Sequence, residues 1–191
     1  KVIDVDDAVP FEEAALSLRK EDILVTGVNA FDNDGNAAMM AGSPLGNFPG
    51  MIMPALVAEG VKIIIAAGLE KLIPGKIDDA IWAAGRKSID ISFGMAVGLI
   101  PIKGEIIDER KALETLAQIK ATVIGMGGIL GAEGATTIIV EGAPEEVKKI
   151  LQIVKNVKGA QVSGSPQTLV ECQRGSLECG QHLACIYKKN K

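Results

Sequence analysis

Two short apolar runs, ILVTGV at 23–28 and VKIIIAA at 61–67, flank a segment dense in Asn, Asp, Gly and Pro. That arrangement constrains this chain most. Runs of this length, rich in Val and Ile and bounded by Gly, predict buried strands of a parallel sheet. Open α/β sheets gather ligands at the carboxyl ends of their strands. The polar residues 29–36 leave such an end.

The neighbouring patterns extend the layer. A short strand is expected at 2–5. A helix is expected at 10–19, with Pro10 at its first position and Glu12 and Glu13 in its first turn. Helices are expected at 54–59 and at 77–84, the second opening on Asp78 and Asp79. Trp82 is expected to pack that helix on the sheet. The order so far is βαβαβα. The second half reads differently: strand 95–102, helix 108–119, strand 121–126, strand 136–141, helix 143–157 and strand 161–163. Val147, Ile150, Leu151 and Val154 form the apolar stripe of the last helix. The glycine-rich run at 125–134 reads first as a bulged hairpin and second as a flap or phosphate cradle. The order βαββαβ is the ferredoxin-like pattern. The fold class is therefore α/β: a parallel α/β layer followed by a ferredoxin-like α+β half. The expected division is 1–90, 91–165 and a tail at 166–191.

Composition removes several function classes. The chain has 191 residues, 48% of them hydrophobic and only 3% aromatic, so its core rests on aliphatic side chains. A net charge of −4 and few stacking rings argue against nucleic acid as a partner. No apolar run approaches the roughly 20 residues of a membrane span. The first residues, KVIDVDDAVPFEEA, lack the apolar centre of a signal peptide, so the expected location is the cytoplasm. Three Cys, an odd number, make a secreted disulfide framework a poor fit.

Three clusters carry candidate chemistry. Gly27, Asn29, Asp32 and Asn36 can meet hydroxyls, amides or a metal, although Asp34-Gly35 is also an ordinary turn dipeptide. A calcium loop is excluded because Ser43 stands where the twelfth-position Glu belongs. The second cluster is the loop 42–50, GSPLGNFPG, where Gly42, Ser43, Gly46 and Gly50 can present N–H groups to a phosphate. It has no Walker Lys and no G-x-G-x-x-G; its plain alternative is a loop crossing the sheet end. The third cluster holds Cys172, Cys179, His182 and Cys185, a C-x6-C-x2-H-x2-C pattern. It offers a Cys3His set suited to zinc, with an iron–sulfur cluster as second choice and three reduced thiols as the plain alternative.

The segments GVNA (27–30), DNDGN (32–36), PGM (49–51) and KIIIAAGLEKLIP resemble one half of the CoA-transferase/ribose-5-phosphate isomerase-like superfamily. Within it they are most similar to lactate-utilisation (LUD-type) proteins. The resemblance covers about residues 20–75. It implies binding of a small anionic metabolite, a CoA ester or sugar phosphate, and a transferase- or isomerase-like activity. The catalytic Glu motif of the CoA transferases has no counterpart; the nearest residues are AGSP at 41–44. No nucleophile or base is assigned. The alternative function is a homo-oligomeric regulatory or assembly module, locked by a metal in the tail.

Overall fold

The computed structural model describes residues 11–46, 50–160 and 182–187. The strands expected at 2–5 and 161–163 lie outside them. The first elements are α1 (Phe11–Leu16), β1 (Ile23–Thr26), β2 (Ala30–Phe31), β3 (Ala37–Ala41), α2 (Met53–Ala58) and β4 (Lys62–Ala66). A 3-10 turn (Leu69–Lys71), α3 (Ile77–Ala83), β5 (Gly98–Ile102) and β6 (Glu105–Ile107) follow. The chain continues through α4 (Glu109–Leu116), β7 (Ile119–Met126), β8 (Thr136–Gly142) and α5 (Pro144–Val157).

The two apolar runs pair in parallel as expected, with Leu24 opposite Ile63 and Thr26 opposite Ile65. β6 adds to the far side of β4, giving the order β1-β4-β6 and an α/β fold. Burial is one-sided. Leu24, Ile63 and Ile65 face a core shared with Ala15 of α1 and Met53 and Leu56 of α2. Ile23 and Val25 remain exposed on the other face.

A second sheet, β2-β3-β5, takes β2 and β3 from residues 30–41, where no strand is expected. Its β3 strand reads AAMMA. Ala and Met favour helices over strands, so periodicity does not announce it. The alanines explain its packing instead. Ala37 joins the main core, while Ala30 and Ala38 face Ile77 and Ile81 of α3. Small side chains there let the helix lie close to the sheet. Trp82 departs from expectation: it is 88% exposed. Ile77 and Ile81, four positions apart, supply the inward face of α3, and Trp82 is turned about 100° away from Ile81.

The ferredoxin-like arrangement expected for 91–165 is corrected among the described residues. β5 pairs with β3, β6 pairs with β4, and β7 and β8 form a separate antiparallel sheet. Element order alone does not choose partners. The link between β5 and β6 passes so near β4 that a Cβ on Gly104 would stand 2.9 Å from the Ile63 carbonyl oxygen. Glycine permits that approach and lets β6 enter the parallel sheet. The glycine-rich run does connect a hairpin with a register shift between Val123 and Gly125. Among the described residues no helix is long and apolar enough to cross a membrane.

Candidate functional site

The turn between β2 and β3 is organised by one carboxylate. Asp32 is 4% exposed. Its Oδ1 accepts the N–H groups of Asp34 at 3.0 Å and Asn36 at 2.9 Å. Its Oδ2 accepts the Asn36 side-chain amide at 3.2 Å and the Ile77 N–H at 3.0 Å. A carboxylate offers about four acceptor positions, and these donors occupy that number. Burial pushes the Asp32 carboxyl up. The hydrogen bonds from Ile77, Asn36 and Asp34 more than offset this and hold it below the ordinary carboxylate range. Gly35 completes the turn at φ +81°, where glycine carries no side-chain penalty.

Asp32 therefore joins the hairpin tip to the start of α3. The residue preceding that helix, Lys76, supplies no side-chain cap. Asp32 satisfies the first helical N–H from 45 positions away in sequence. Asn29 has a similar duty. Its Oδ1 accepts the Met40 N–H at 2.8 Å, extending the β2–β3 ladder past its last residue pair.

Close packing shapes the second cluster. A Cβ on Gly42 would meet the Met95 sulfur, and one on Gly50 would strike the Leu45 carbonyl. Gly46 is buried at φ +74°. Its N–H donates to the Ser43 carbonyl at 3.1 Å, and the Gly50 N–H donates to the Gly46 carbonyl at 3.3 Å. Those two N–H groups thus close the loop on itself. Gly27 is different: a Cβ there would have its nearest neighbour at 3.8 Å, so no close contact demands glycine.

Five of the eight ligand candidates line three separate clefts. Ser43 and Gly46 line a cavity of about 520 Å³ together with Arg86 and Lys87. Asn36 and Gly50 line another of about 450 Å³, between α2 and the start of α3. Asp32 borders a third of about 710 Å³. Gly27, Asn29 and Gly42 line none of these three. Among the described residues, the charged lining of the first cavity consists of the two consecutive cations Arg86 and Lys87. Lys87 makes no ion pair among the described residues. No sequence motif links the basic pair to the Gly/Ser loop, because it follows α3, far from that loop in sequence. Its signal was modest: Arg-Lys directly after a helix-ending Gly85.

Of the third cluster, His182 and Cys185 are described; Cys172 and Cys179 lie outside the described residues. Ser92 donates its N–H to the Ala184 carbonyl at 2.9 Å and accepts the Ile186 N–H at 3.0 Å. This pairing seats 182–187 along the chain just before β5.

No protein-family model matches the chain, and no curated protein matches it.

Proposed function

We propose that the protein binds a small anionic metabolite, a CoA ester or sugar phosphate, in the cavity framed by Ser43, Gly46, Arg86 and Lys87. One observation carries this reading: a Gly/Ser loop and two adjacent cations line one cleft, with no acidic side chain among its described lining residues. Its volume of about 520 Å³ suits a metabolite-sized group. Positive potential in a cleft concentrates anions and orients them. The polar residues Asn29 and Asp32 serve the frame instead, because their side-chain oxygens already accept backbone N–H groups. The likeness to CoA-transferase-like proteins agrees with this ligand class and leaves the reaction unassigned.

Thermal unfolding against acyl-CoA esters, sugar phosphates and hydroxy acids tests the proposal. A ligand bound only by the native state adds about 2.7 kcal/mol at a hundredfold excess over Kd. One anionic class is expected to raise Tm, and Lys87→Gln is expected to weaken that shift without changing the unliganded Tm. No shift with any member contradicts the reading. The alternative is an assembly module with a tail metal. It is supported if chelation lowers Tm while no metabolite raises it.

A further inference from the structure

We infer that the cavity of about 450 Å³ between α2 and the start of α3 is a second binding site, for a free aliphatic amino acid. Its volume lies in the range of small-molecule sites, about 300–1,000 Å³. The register of the second sheet builds one wall. Ala37 stands opposite Ile102 at the end of the β3–β5 ladder, so Asn36 and Lys103 come opposite each other one place further on. Both line the cavity, and Asp78 lines it from the first turn of α3. Among the described residues, Asp78 and Lys103 are its charged lining.

Asp32 positions two of these groups. Its Oδ2 accepts the Asn36 side-chain amide at 3.2 Å and the Ile77 N–H at 3.0 Å. The first bond turns the Asn36 side-chain carbonyl oxygen away from Asp32, and no described residue donates to that oxygen. The second fixes the backbone next to Asp78. One buried carboxylate thus holds an open acceptor and an acidic residue beside the same cavity.

Asp78 and Lys103 are exposed, and they make no ion pair with each other or with any other described residue. Opposite charges held apart across one cavity match a ligand that carries both. An ammonium group meets Asp78 and the Asn36 carbonyl oxygen, and a carboxylate meets Lys103, each through a charge-assisted contact. A simple anion meets Asp78 with like charge, and a simple cation meets Lys103 likewise. Beyond these three side chains the described lining is apolar or glycine. Met53 and Ile102 belong to the main core and Ile100 packs against it, so that wall is rigid. Val57 is 53% exposed and gains cover from an aliphatic ligand side chain.

The test titrates the full chain, by proton–nitrogen NMR, with L-leucine, L-isoleucine, L-valine and L-methionine. Glycine, 4-methylpentanoate and 3-methylbutylamine are the controls; they lack the aliphatic side chain, the ammonium and the carboxylate of leucine in turn. At least one of the four amino acids is expected to shift Asn36, Asp78 and Lys103 saturably, and to bind about tenfold or more tightly than each control, as loss of one charge-assisted contact implies. Lys103→Gln is expected to weaken that amino acid about tenfold without weakening 3-methylbutylamine, which has no carboxylate to lose. Asp78→Asn is expected to weaken it similarly without weakening 4-methylpentanoate. No saturable shift with any of the four, equal binding of a control that lacks one charge, or an affinity insensitive to both substitutions overturns the inference. Saturable shifts confined to Ser43, Arg86 and Lys87 also overturn it, by assigning the ligand to the other cavity.

Discussion

Replacing Asp32 with Ala is expected to destabilise the protein by about 2–4 kcal/mol and to lower Tm by roughly 5–15 °C. The substitution removes the acceptor of the Ile77 N–H, at a helix start where Ile77 is 1% exposed. A buried donor left unpaired costs about 1–3 kcal/mol. The Asp34 and Asn36 N–H groups lose the same carboxylate but lie nearer water, so they add less. A residue whose only duty was to touch ligand would leave Tm unchanged when truncated. Acid titration provides the second readout. The Asp32 carboxyl is held below its ordinary range in the folded protein. Its contribution is therefore fully present above the unfolded-state value and is lost as pH falls through the folded one. Wild type is expected to lose stability below about pH 4, and Asp32→Asn is expected to flatten that part of the profile. Chemical denaturation across pH 3–7 checks both.

Ile65→Ala is expected to cost about 3–4 kcal/mol. Ile65 is 0% exposed and sits mid-strand in β4, between β1 and β6. Truncation leaves a cavity where the parallel sheet meets α1 and α2, and the two flanking strands limit its collapse. Ile64 points to the opposite face and is half-buried, so Ile64→Ala is expected to cost less than half as much. Urea denaturation of the two variants compares the faces directly. Equal losses contradict a sheet covered on one side.

Some of this architecture was legible because it rests on local pattern. The β1 and β4 runs carry the β-branched signal of parallel strands, and Pro144, Glu145 and Glu146 mark the start of α5. Other parts were hidden for definite reasons. The AAMMA strand looks helical by propensity, so sequence pattern does not reveal the β2–β3 hairpin. The partners of β5 and β6 depend on Gly104 allowing a close approach to Ile63, a contact no periodicity encodes. The candidate site divides the same way. Ser43 and Gly46 belong to a loop whose glycines and prolines stand out in the sequence. Arg86 and Lys87 reach that loop's cavity only through the fold, and Asp32 is revealed as a clip only by its bond to Ile77, 45 residues on.

Proton–nitrogen NMR on the full chain, titrated with inorganic phosphate and then coenzyme A, tests the anion site most directly. Saturable shifts are predicted at the amides of Ser43, Leu45, Gly46, Arg86 and Lys87, with Asp34 and Asn36 unmoved. Saturable shifts confined to residues 29–36, or none at the Ser43–Gly46 loop with either probe, would contradict it.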